Sequence, residues 1–147
     1  MSEQENKELN LTEVSISSLN SDQTFAFNIV MKTLFDYKNK IETFEPLRLI
    51  IAGTAGCGKS FLIKCLVKAI RKFFNTNNCV HVLSTAGSSA NLISGVTIHS
   101  FLKIPTNKSK ELKCPDGNTG RSLQKNCDGL KVILVDERSL VACNTLR

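Results

Sequence analysis

Lys59 and Ser60 close an eight-residue run, Gly53-Thr54-Ala55-Gly56-Cys57-Gly58-Lys59-Ser60, whose residue types suit the capture of phosphate groups. Phosphates need several N–H donors converging on one point, and a tightly wound backbone supplies them. Gly53, Gly56 and Gly58 permit the angles and the close approach that a Cβ would block. A helix starting near Lys59 would add its free N–H groups and the positive end of its dipole. In that arrangement Lys59 reaches the β- and γ-phosphates of ATP, and the Ser60 hydroxyl ligates Mg²⁺. Thr54, Ala55 and Cys57 complete the cradle. The alternative is a glycine-rich turn that matches by accident. With Gly at about 7% of residues on average, the bare pattern arises by chance in fewer than about one chain in a hundred of this size.

A second chemical element stands at Asp136-Glu137, directly after the apolar run Lys131–Val135. A strand that delivers an acid at its carboxyl end places Asp136 to hold Mg²⁺ through its water shell. Glu137 would orient and deprotonate an attacking water. Asp136 lies 77 residues (136 − 59) after Lys59, with one further strand unit between them. The adjacent Glu favours hydrolysis of ATP over the transfer chemistry of nucleotide kinases. The six cysteines form no C-x-x-C pair and no zinc-type spacing. Cys65 and Cys79 read as core thiols, and His99 as an ordinary half-buried histidine without a metal role.

The elements that must position these residues follow from periodicity. Leu47–Ala52, after Pro46, reads as a buried strand leading into the loop. FLIKCLVKAIRKFF then carries apolar residues at Phe61, Ile63, Leu66, Val67, Ile70 and Phe74, with Lys64, Lys68, Arg71 and Lys72 on a solvated face. Upstream, a helix begins at Asn20, with Phe27, Val30, Met31 and Leu34 on one stripe. Gln23, three residues after Asn20, can close a capping box there. Cys79–Thr85 is a second strand, and Ser88–Ile93 and Thr97–Leu102 are candidate short helices. Residues 103–130 show no strong period and hold more basic than acidic groups. A solvated loop and a nucleic-acid contact both fit them. Residues 1–18 are polar and read as disordered.

The chain as a whole, 147 residues with a net charge of +6, suits one globular domain and tolerates a polyanionic partner. Its start is polar and acidic, unlike a secretory or transit peptide, and no apolar run reaches membrane-spanning length. The cysteine usage points to a reducing compartment, cytosol or nucleus.

GTAGCGKSFLI, STAGSSANLISGVTIHSF and VILVDERSLV together resemble the first three motif blocks of the petite-integration-frequency (Pif-type) DNA helicases, a superfamily-one group related to Helitron helicases. The upstream LNSDQ resembles that family's Q motif, which makes Gln23 a candidate adenine reader as well as a cap. The resemblance covers about residues 19–143 and is most specific in the segment around His99. It implies an α/β, RecA-like phosphate-loop domain with a parallel sheet and flanking helices, occupying residues 19–147 and incomplete. It implies an ATP- and Mg²⁺-dependent motor moving five-prime to three-prime on single-stranded DNA, in repair, recombination or transposition. Thr97, His99 and Ser100 would then contact the DNA backbone. A nuclear location follows, with a mitochondrial one open.

In that fold the strand after Asp136-Glu137 inserts between the strands bearing the two motifs. The chain ends at Arg147, so the expectation is an N-terminal portion of a helicase with an open seam in its sheet, itself inactive in unwinding. The competing readings are a remnant that binds nucleotide or DNA without turnover, and a different phosphate-loop ATPase.

Overall fold

Asn20 starts the first helix by a reciprocal pair of hydrogen bonds. Its side chain accepts from the Gln23 N–H at 2.9 Å, and its own N–H donates to Gln23 Oε1 at 3.0 Å. Two of the donors that a helix start leaves free are thereby satisfied. In this computed structural model, which describes residues 15–40, 44–85, 95–104 and 117–136, that helix is α1, Ser21–Lys38. Val30 and Leu34 are buried on the stripe expected from the sequence, with Phe27 and Met31 half-buried beside them. The helix stops as Lys40 turns left-handed at φ 52°. Ile16–Ser18, just ahead of it, form one 3₁₀ turn. The described residues fall into two compact units, within Met1–Ile70 and within Arg71–Arg147.

The phosphate-type loop leads into α2, Lys59–Phe74. Its buried residues Leu62, Cys65, Leu66, Ala69 and Ile70 recur at three- and four-residue steps, with Val67 beside them. The stripe is therefore centred slightly differently from the one read in the sequence, and Phe61, Ile63 and Phe74 are only half-buried. Lys68 and Lys72 are exposed, but Lys64 and Arg71 are half-buried. Leu66 and Ile70 are fully buried, each worth about 1.5–3 kcal/mol of transfer free energy. Cys65 is a core thiol as expected, and burial pushes its pKa up.

The expected strand Leu47–Ala52 does not form. Residues 44–54 carry no helix or strand, and Leu47, Leu49, Ile50 and Ile51 are exposed, Ile50 to 64%. An apolar run sets a tendency to extend, but a strand exists only where a neighbour takes its N–H and C=O groups. No described strand pairs with this one.

The second unit is a small parallel sheet. Its strands are β1 (Val80–Ser84), β2 (Val96–Thr97) and β3 (Val132–Val135), in the order β2-β1-β3. β1 runs parallel to both neighbours: Val80 to Leu83 face Val132 to Val135, and Leu83 and Ser84 face Val96 and Thr97. β2 passes straight into α3, Ile98–Leu102, which Thr97 caps by accepting from the Ser100 N–H at 3.2 Å. At Gly95, where the chain enters β2, a Cβ would run into the Val82 carbonyl. Leu83, Ile98 and Phe101 form a buried cluster flanked by Leu102 and Leu130.

The segment 103–130, read as lacking structure, contains α4, Gly117–Cys127. Its half-buried positions Thr119, Gly120, Leu123 and Asn126 have helical spacing, but only Leu123 has a sizeable apolar side chain, so no hydrophobic period announces it. Asn126 instead anchors it by donating to the Phe101 carbonyl at 3.1 Å. Gly129, at φ 72°, then turns the chain into β3. The expected helix over Ser88–Ile93 lies outside the described residues.

His81 on β1 rests against the Phe101 ring, with centroids 5.0 Å apart. Burial first, and the Arg71 charge second, hold its pKa below the ordinary value, while a hydrogen bond to the Asn126 backbone pulls the other way. Cys79, also in this unit, is fully buried and its thiol is pushed up by burial. Because the folded state disfavours the His81 proton, the unfolded chain binds it more readily. The contribution of neutral His81 is fully present above the unfolded pKa of about 6.5 and is lost as pH falls through the lower folded value. Thermal melts between pH 7 and 5 should therefore show a stability loss in the parent that is smaller in His81→Gln.

Candidate nucleotide-binding site

The loop between residues 53 and 60 winds through two left-handed glycines, Gly56 at φ 80° and Gly58 at φ 82°. Residues with a Cβ reach that region only with strain of about 1–2 kcal/mol, which accounts for glycine at both positions. At Gly53 the constraint is contact rather than angle: a Cβ there would lie 2.6 Å from Cys57 Sγ, so the Cys57 side chain would have to turn away. A weak turn bond from the Cys57 N–H to the Thr54 carbonyl, at 3.4 Å, closes the bend. Gly53–Cys57 face solvent, Gly58 and Lys59 are half-buried, and Ser60 is exposed in the first turn of α2.

Lys59 points into this loop. Its Nζ donates to the Gly53 carbonyl at 2.8 Å and the Thr54 carbonyl at 2.7 Å, and lies 3.5 Å from Cys57 Sγ. An ammonium is thus set beside the start of a helix whose first turn holds no acidic residue and whose last turn holds Arg71 and Lys72. With no acid in the first turn the helix start stays positive and suited to an anion, while Arg71 and Lys72 complement the negative end of the dipole. Neutral carbonyls hold the ammonium less strongly than phosphate oxygens would, so the loop can surrender it to a bound nucleotide.

Gln23 joins α1 to the loop. While its Oε1 serves the capping box, its Nε2 donates to the Cys57 carbonyl at 3.2 Å and the Gly58 carbonyl at 3.4 Å. A Cβ on Gly58 would meet that same Nε2. The capping role and the link to the nucleotide loop are therefore carried by opposite ends of one amide. Spacing along the chain could show the first; nothing local could show the second, which joins residues 34 and 35 positions apart.

Asp136 lies in the second unit, half-buried at the carboxyl end of β3, with its N–H on the Leu83 carbonyl at 2.9 Å. Glu137 lies outside the described residues. Among the described residues no three His, Cys, Asp or Glu side chains cluster to form a metal cage. Mg²⁺ needs none: it takes hard oxygen donors from one or two protein groups and completes its shell with phosphate and water. Ser60 in the first unit and Asp136 in the second each carry an oxygen donor of that kind, and the glycine loop has the left-handed turns and the ammonium that suit phosphate groups. Of the candidate DNA residues, Thr97 is committed to capping α3, whereas His99 is half-buried and Ser100 exposed on that short helix.

The sequence model of the PIF1-like helicase family matches residues 18–146. An ATP-dependent DNA helicase Pif1 from Campylobacter jejuni is 31% identical over 117 residues, covering 76% of this chain and 25% of the relative. The ATP-dependent DNA helicase PIF1 of Saccharomyces cerevisiae is 29% identical over 99 residues, covering 67% of this chain and 11% of its own. That of Emericella nidulans is 32% identical over 100 residues, covering 63% and 13%. The chain thus spans a quarter or less of these relatives' lengths. No solved structure matches it.

The glycine at 58 is doubly constrained, by its angle and by Gln23. Gly58→Ala should weaken binding of a fluorescent ATP analogue by about tenfold or more, since each constraint costs on the order of 1 kcal/mol. Adding Gln23→Ala should restore only the part due to the collision, as a double-mutant cycle on nucleotide affinity would measure.

Proposed function

Because the chain belongs to the PIF1-like helicase family, we propose that it is the ATP-binding portion of a DNA helicase that converts ATP hydrolysis into five-prime to three-prime movement on single-stranded DNA. The observation that supports this most directly is the Lys59 ammonium, seated in a loop of left-handed glycines at a helix N-terminus. Bound ATP would supply the phosphoryl group whose transfer to water drives the motor. The residues of this chain would hold it: backbone N–H groups from Gly53 through Ser60 around the phosphates, and Lys59 on the β- and γ-phosphates. Ser60 would give Mg²⁺ its hydroxyl, and Asp136 would hold the metal's water shell. Glu137 would take the proton of the attacking water.

Gln23 would present its amide to adenine, exchanging the Cys57 and Gly58 carbonyls for the base and so linking recognition of the base to the state of the loop. Thr97, His99 and Ser100 would meet the DNA backbone, the exposed Ser100 hydroxyl being the most accessible of the three. No helix among the described residues is long and apolar enough to cross a membrane. We place the protein in the nucleus, in DNA repair, recombination or transposition.

The test of the nucleotide assignment is Lys59→Ala, which should abolish binding of a fluorescent ATP analogue; unchanged affinity would refute the assignment. The DNA assignment predicts binding to an oligothymidylate that weakens steeply with salt and shows little sequence preference. Ser100→Ala with His99→Ala should reduce that affinity without altering the affinity for ATP, as fluorescence anisotropy would report.

A further inference from the structure

Ser84 closes β1, the central strand of the sheet, and is fully buried at 0% exposure. Among the described residues its Oγ has no hydrogen-bond partner. A buried hydroxyl left unpaired at the centre of a sheet is costly enough to need a reason, and one reason is a partner that arrives in another state of the molecule.

The register supplies that partner. The paired residues of β1 and β3 end with Leu83 and Val135, and the Asp136 N–H on the Leu83 carbonyl extends the ladder by one rung. This sets Asp136 directly beside Ser84. On the other side Ser84 pairs with Thr97, so Thr97, Ser84 and Asp136 form one row across three strands. Residues side by side in parallel strands present their side chains to the same face, with strands about 4.8 Å apart. Rotation about the first side-chain torsions alone can then bring a serine hydroxyl onto a neighbouring carboxylate. Thr97 already uses its hydroxyl to accept from Ser100. The charged acceptor in the row is Asp136, and an O–H donor to a carboxylate is among the stronger hydrogen bonds.

We propose that Ser84 is a positioning residue for Asp136: its hydroxyl donates to one carboxylate oxygen and leaves the other turned toward the water shell of Mg²⁺. The inference rests on the metal role given to Asp136 above. It assigns to β1 a function beyond packing, and it gives the unpaired hydroxyl its partner in the metal-bound state.

The test is the Mg²⁺ dependence of binding of a fluorescent ADP analogue to the whole chain, with melting temperature recorded for each variant. Ser84→Ala should melt no lower than the parent, because it removes an unsatisfied polar group, and should bind the analogue equally well in EDTA. The Mg²⁺ concentration giving half of the tightening should rise by about tenfold, the usual scale for losing a partner of a metal-holding group. Ser84→Thr, which keeps the hydroxyl, should recover most of that loss, and Thr85→Val, which removes the neighbouring unpaired hydroxyl, should have no effect. In an Asp136→Ala background, Ser84→Ala should change nothing further. An unaltered Mg²⁺ dependence in Ser84→Ala, or an equal loss with Asp136 already removed, overturns the proposal alone. An unaltered dependence in Asp136→Ala overturns the metal role of Asp136 and this inference with it.

Discussion

An ammonium held on two carbonyls of its own loop is the constraint on which the first unit depends. Lys59 reaches the Gly53 and Thr54 oxygens because the intervening chain doubles back through Gly56 and Gly58 in a left-handed conformation that strains residues with a Cβ. That bend in turn aims the start of α2 at the same point, and α2 is held in place by the buried stripe from Leu62 to Ile70. α1 enters through Gln23, whose amide braces the loop from outside. Each contact is modest, about 0.5–3 kcal/mol depending on charge. Their effect is preorganisation, because the donors and the positive charge are in place before a phosphate arrives.

What could be read from the sequence was what is local. The Asn20–Gln23 box, α2, and the continuous apolar runs of β1 and β3 are each decided within one or two turns or one strand of chain, and each was visible. Pairing is not local. Leu47–Ala52 has the composition of a buried strand, yet it lies exposed without a neighbour among the described residues. α4 is hidden for the opposite reason: its half-buried face is made of Thr119, Gly120, Leu123 and Asn126, and polar anchoring leaves no hydrophobic period. Ser84 was silent altogether, since a serine ending an apolar strand gains meaning only from the register that puts Asp136 beside it.

The exposed apolar residues fit the same view of the fold. Among the described residues β3 is an edge strand, and Ile133 and Val135 are exposed on it at 48% and 39%. In the first unit Leu47, Leu49, Ile50 and Ile51 are open as well. Apolar and open to solvent, each segment would favour pairing with a further strand. The nucleotide loop does not wait on that pairing, because its own hydrogen bonds and the packing of α2 already shape it.

The most direct test of the central claim is an amide NMR titration of the ¹⁵N-labelled chain with Mg²⁺ and a non-hydrolysable ATP analogue. The account predicts that the backbone amides of Gly56, Cys57, Gly58, Lys59 and Ser60 and the side-chain amide of Gln23 shift together and saturate with one dissociation constant. Saturable binding that leaves those amides unmoved, with shifts gathered elsewhere, would contradict it.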